Sequence, residues 1–254
     1  MKRVIHICIV VAWTLLSSTL HAATRILVFP FEAANNVPRW EWLSHGLAAE
    51  IELRLLRISS VDVALYPEYV SAAKANRIAR SHRVDAFVHG EYRVEGGFVE
   101  VTSEVVNFSN PDMPRSFDGR APFENLLTSI DNLCSSLPVA TGARLLRAER
   151  GLLDHPSTIN TKGFESYAEG LAHLRAYSSD PFSSEDHLVP ALVAMMRARA
   201  LDDAFFGPSL QIGKIHEASS NPDKAIASFQ EALGRAPGLR PARDAIDRLT
   251  RKSL

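Results

Sequence analysis

The chain reads as an α+β protein, a two-layer α/β sandwich domain followed by an all-α helical repeat segment, and three features carry that reading. Ala86, Val88, Tyr92 and Val94 alternate with Asp85, His89, Glu91 and Arg93, and after Gly96 and Gly97 the pattern resumes as Val99, Val101 and Val105 against Glu100, Thr102 and Glu104, the period of a hairpin with one face in water. Helical periodicity before and after it implies that helices cover the other face, since a doubly wound sheet would carry strands apolar on both faces. Towards the end, Gly213, Ala225, Phe229, Ala232 and Pro237 follow a rhythm of small, large, small and proline. That rhythm fits two antiparallel helices packed closely enough to need small side chains at their crossing.

Composition narrows the function. At 254 residues, 46% hydrophobic and 22% charged, the chain can bury a real core. A net charge of −1 with no long basic run gives no field to draw in nucleic acid. Residues 1–23 are expected to be a signal peptide: Lys2 and Arg3 precede an apolar stretch from Val4 to Leu20, and Ala22 and Ala23 follow. Thr14, Ser17 and Ser18 dilute that stretch below the ~20 apolar residues of a spanning helix, so no stable membrane span is expected after cleavage. The expected location is the periplasm. Cys8 sits inside the apolar run, poorly placed for lipidation, and cleavage leaves Cys134 as the sole cysteine, in a helical pattern with Leu126, Ile130 and Leu137. A buried, inert thiol is expected there.

The α/β domain spans 24–140. It opens on RILVFPF, Arg25 to Phe31, a short apolar strand ended by Pro30 and by Asn35 and Asn36. Trp40, Leu43, Leu47, Ile51 and Leu55 then recur at spacings of three and four, with Glu41, Glu50, Glu52 and Arg54 elsewhere around the cylinder, which predicts a helix with one core face. Val61 to Tyr66 is the next strand, and Pro67 suits the first turn of a second helix reaching about Ser81. After the hairpin, a strand at Arg115 to Arg120 and a helix from Phe123 to Leu137 complete the domain. Residues 141–160 are expected to be a connecting helix and linker, with Arg144, Arg147 and Arg150 as a solvated stripe and Pro156, Ser157 and Thr158 as the boundary.

In residues 161–254, Phe164, Tyr167, Gly170 and Leu174 supply one helix and Ala191, Met195 and Ala198 its partner, across an enlarged loop, Ser178 to His187. Ala242, Ala245, Ile246 and Leu249 form a capping helix whose Arg243, Asp244, Asp247 and Arg248 face solvent.

Two family resemblances follow from these residues. Leu27, Phe29, Pro30 and Phe31, then Trp42, Leu43, Gly46, Leu47 and Glu50, then Val84, Asp85 and Gly90 resemble the TolB amino-terminal type of domain. The frame around Ile212, Gly213, Ala225, Phe229, Ala232 and Pro237 resembles a divergent tetratricopeptide repeat (TPR), with Ser209 and His216 where large aromatics are usual. The first implies binding in the bacterial envelope without catalysis. The second implies a concave peptide-binding groove lined by first helices, offering Tyr167, Leu171, Arg175, Leu210, Lys214 and Glu217. Tyr167 and Leu171 read equally well as core, and Lys214 and Glu217 as an ordinary solvated face. Two repeats and a cap are too few to bury a continuous core, so they must lean on the α/β domain or on another copy in a homo-oligomer.

Chemistry finds no foothold in the sequence. There is no HExxH, no CxxC, no G-x-S-x-G and no phosphate-cradling glycine loop. Glu185, Asp186 and His187 come nearest to a ligand cluster, and they fall in the enlarged loop, where a polar surface turn is the plainer explanation. The expectation is a non-enzymatic adaptor or assembly factor for other envelope proteins or peptides, with no catalytic residues, metal or cofactor. The alternative is a periplasmic small-ligand-binding module of sensory or transport-associated type.

Overall fold

The computed structural model describes residues 23–35, 38–111, 115–179 and 184–252. The expected signal peptide, apart from Ala23, lies outside the described residues, as do 180–183 of the expected enlarged loop. Strand β1 (Thr24–Val28) pairs in parallel with β3 (Val61–Leu65) on one side and β4 (Ala86–Glu95) on the other. Antiparallel β5 (Phe98–Asn107) and β6 (Arg115–Pro122) extend the sheet to the order β3-β1-β4-β5-β6. Pro30 interrupts the first strand, and the two-residue β2 (Glu32–Ala33) resumes beside Glu91 and Tyr92 of β4. The hairpin turns where expected, at Gly96 and Gly97, whose φ of +58° and +81° only glycine adopts cheaply. Five helices follow in the second half: α4 (Thr161–Ser179), α5 (Ser184–Leu201), α6 (Phe206–Ala218), α7 (Pro222–Arg235) and α8 (Arg240–Lys252). The α+β class with an all-α segment is what the structure shows.

The layering is fuller than a two-layer sandwich. Helix α1 (Leu43–Leu55) connects β1 to β3, and α2 (Ala72–Ser81) returns the chain from β3 past β1 to β4. Parallel crossovers are right-handed, so two crossovers running in opposite directions along a sheet place their helices on opposite faces. Ala75 and Ala79 of α2 accordingly pack with Leu27, Phe29, Phe87 and Val106, while Ile26, Val28 and Val88 face the main core with α1. Only the hairpin's far end keeps the expected wet face, through Glu91, Arg93, Glu100 and Thr102.

Three other expectations change. Pro67 lies ahead of α2, which begins at Ala72, and its carbonyl instead accepts from His45 Nε2 at 3.1 Å. The helix expected over 123–137 is split into a 3-10 segment, Phe123–Ile130, and α3 (Asp131–Thr141), with Asn125 off the helical region. The 3-10 segment is pressed so closely on β6 that a Cβ on Gly119 would lie 1.6 Å from the Ser129 carbonyl oxygen. Residues 142–160 form no α-helix; apart from a 3-10 turn at Arg147–Glu149 they run as an irregular strap. The expected arginine stripe is exposed, but Leu153 is buried and Glu149 accepts the Ser59 backbone N–H at 2.6 Å. The strap follows the surface because its backbone partners lie on α1 and the loop after it.

Those partners centre on Arg54 of α1, which is fully buried. Its Nε donates to Glu50 Oε1 at 2.8 Å, Nη1 to Asp131 Oδ1 at 2.7 Å and the Leu153 carbonyl at 3.1 Å, and Nη2 to the Leu127 carbonyl at 2.9 Å. Glu50, also fully buried, accepts the Ser157 N–H at 2.7 Å and its hydroxyl. The α1 helix therefore has a polar, buried side as well as the expected apolar one.

In the helical segment, Gly213 of α6 lies under Phe229 of α7, where a Cβ would come within 2.5 Å of the ring. Gly170 of α4 repeats the device against Met195 of α5, at 2.8 Å. Gly213→Ala should therefore destabilise, because overpacking costs about 1–3 kcal/mol against a helix-propensity gain of about 1. Gly234→Ala, with nothing near its Cβ position, should stabilise by about 0.5–1 kcal/mol, and urea denaturation compares the two. The same assay should show Arg54→Ala losing about 3–5 kcal/mol, and Glu50→Leu combined with Arg54→Met losing less, since the double change leaves no buried charge unanswered.

Candidate functional site

The first helices of the two hairpins, α4 and α6, do form one continuous face, and α1 lies in it. Trp42 and Phe164 rings stand 6.2 Å apart, a Cβ on Gly46 would meet Phe164 at 3.3 Å, and Leu53 reaches to 3.3 Å from the Cβ position of Gly207 on α6. Farther along, Arg240 at the start of α8 donates to the Val61 carbonyl and to Asp62 Oδ1, both at 2.6 Å, fastening the last helix to β3. The helical hairpins lean on the α/β domain directly, through α1 and α8, and the strap adds hydrogen bonds of its own, from Thr158 Oγ1 to Asp202 Oδ2 and from Asn160 Nδ2 to the Leu201 carbonyl at 2.8 Å.

An open peptide groove is therefore not what the structure presents. Tyr167 and Leu210 are fully buried, and Gln211 Nε2 donates to the Tyr167 hydroxyl at 3.3 Å. Burial, with Glu52 nearby, pushes the Tyr167 phenol upward. Glu217 points away, its two oxygens 2.7 and 2.8 Å from Arg248 Nη2 on α8. The remaining three residues do come together: Leu171, Arg175 and exposed Lys214 share a cavity of about 370 Å³ with His45, Ala48 and Glu52 of α1. Pro30, Leu65, Tyr66 and Pro67 close it at the carboxyl ends of β1 and β3.

Its electrostatics follow from partial burial between two helices and a sheet. Burial holds His45 below its ordinary value, with Arg175 adding to the effect. Burial raises the Glu52 carboxyl, against the pull of Lys214, and lowers Arg175 to about 10. His45, Glu52, Tyr66 and Gln211 were missed in the sequence. A signal existed: Ala48, Ala49 and Leu53 spread the apolar residues of α1 beyond one stripe, the mark of a helix enclosed on several sides.

His187 is helical, in α5, with its ring 6.4 Å from that of His173 on α4, where a loop was expected. Among the described residues no cluster of three or more His, Cys, Asp or Glu is arranged to hold a metal ion. Cys134 is buried, and burial pushes its thiol up to about 12. Among the described residues no helix is long and apolar enough to cross a membrane.

A pH dependence follows from His45. Its folded value lies below the 6.5 of the free side chain, so the unfolded chain takes up the proton first and the stability present above that pH is lost as pH falls below it. His89 and His216 are shifted the same way, also mainly by burial. His45→Gln should lose less stability than the parent between about pH 7.5 and about pH 5.5, measured by denaturant titration at both.

No protein-family model matches the chain, and no curated protein matches it. Among solved structures it is similar to the LpoB C-terminal domain from Salmonella enterica, with 12% sequence identity, over 44% of this chain and 92% of that one, at a TM-score of 0.32.

Proposed function

We propose that the protein is an exported, non-enzymatic adaptor of the bacterial envelope, pairing a TolB-like α/β domain with divergent TPR hairpins, and that it docks a partner protein on the outer side of α5. The observation that carries this reading is an uncovered apolar stripe. Val189, Val193 and Met196 are 62%, 51% and 49% exposed at spacings of four and three, one side of a single helix. The opposite side, Ala191, Ala194, Met195 and Ala198, is buried against the neighbouring helices. A helix turned only to water would carry charge there, as α8 does with Arg243, Asp244, Asp247 and Arg248. Contiguous exposed apolar side chains on a soluble domain mark interaction sites.

The partner chemistry this stripe fits is an apolar ridge, such as one side of an amphipathic helix on another envelope protein. The intramolecular seat of α1 in the α4–α6 groove supports the same division of labour: the inner face builds the molecule, and the outer face is left to bind. Non-enzymatic action is supported by Cys134, whose buried thiol is removed from solvent. A photoreactive residue at Val193 in cells should give a discrete heavier adduct that Met196→Glu abolishes without moving the unfolding midpoint. An equivalent adduct from Arg243 on α8, or none from Val193, would refute docking on α5.

A further inference from the structure

We infer that the cavity between α1, α4 and α6 is a binding site for a small organic monocarboxylate with an apolar tail. This is independent of docking on α5. The cavity, of about 370 Å³, is large enough for such a molecule. It lies at the carboxyl ends of the parallel strands β1 and β3, the end at which α/β sheets present ligand crevices.

The lining divides by chemistry. Ala48, Leu65, Leu171 and Leu174 give an apolar wall drawn from α1, β3 and α4. Arg175 and Lys214, on successive first helices, supply two cations, and the Gln211 amide lies on the same helix as Lys214, one turn earlier. Among the described residues of the lining Glu52 is the acidic one, and burial raises its carboxyl, so it holds its negative charge less firmly than a solvated glutamate. His45 is kept toward the neutral form, with Nε2 against the Pro67 carbonyl. An anion entering here meets two cations across a partly desolvated space, where charge-assisted hydrogen bonds are strongest. A cation would meet Arg175 and Lys214 at the same positions. An apolar tail is required because a bare inorganic anion would leave the aliphatic wall wet.

The cavity draws on both halves of the chain, α1 and the strand ends from one and α4 and α6 from the other. A ligand that fills it bridges the two and stabilises the assembled molecule by mass action.

Thermal unfolding and calorimetry of the full chain lacking residues 1–23 test the site with hexanoate and phenylacetate as probes. Hexanamide and hexylammonium serve as neutral and cationic counterparts. The carboxylates should raise the unfolding midpoint with concentration and bind at one per chain, and the counterparts should not. Lys214→Gln, a change at an exposed side chain, should weaken carboxylate binding about tenfold or more. The site is overturned if neither carboxylate binds up to about 10 mM. It is equally overturned if hexanamide binds as well as hexanoate, or if Lys214→Gln leaves the affinity unchanged.

Discussion

Arg54 brings a guanidinium into the core on a helix that touches both halves of the molecule, and that charge has to be met on every side. Its planar fork projects donors in fixed directions, so the answering acceptors must arrive from several places in the chain at once. They come from Glu50 on the same helix, the 3-10 segment at Leu127, the first residue of α3 and the strap at Leu153. Burial works against the charge, but the carboxylates of Glu50 and Asp131 answer it, and Arg54 is held above arginine's ordinary value. Glu50 carries the network on to Ser157, at the entrance to the helical segment. An irregular strap stays in one place because an ionic group beneath it accepts no other arrangement.

Around that node, α1 serves as a wall shared by two structures that each need one. The sheet requires a helix on its main face. The hairpins α4–α5 and α6–α7 require something to fill the side formed by their first helices, because two helical hairpins bury too little surface among themselves. One helix of 13 residues meets both needs, and its side chains divide accordingly: Ala48 lines the cavity beside α4 and α6, Leu53 reaches Gly207 of α6, and Glu50 and Arg54 form a buried ion pair. The consequence for function is that the inner groove is spent on architecture. What remains of it is the cavity where α1 and the strand ends fail to close against Arg175 and Lys214.

Much of the chain declares itself locally. The alternation through β4 and β5, the glycine pair between them and the frame set by Gly213, Phe229 and Ala232 depend on contacts within a hairpin, so periodicity and turn chemistry suffice to read them. Where reading failed, the deciding partner was remote. Pro67 is a good first-turn residue, but its carbonyl is engaged by His45 across the cavity. Glu50 and Arg54 look like the solvated side of an amphipathic helix, because their partners lie 77 to 107 positions away at Asp131, Leu153 and Ser157. Leu171, Arg175 and Lys214 were visible as one helical face, whereas the wall opposite them, His45 to Glu52, belongs to another part of the chain.

By itself, then, the sequence determined the strands, the hairpin turn, the helix pairs and their close crossings, since these rest on side-chain period, φ preference and residue size between near neighbours. Tertiary structure decided which faces of α1 are buried, on which side of the sheet α2 lies, and whether the groove is open. Those outcomes depend on the handedness of the crossovers and on a desolvated charge that only a folded chain can satisfy, and neither leaves a periodic trace in the residues that bring it about.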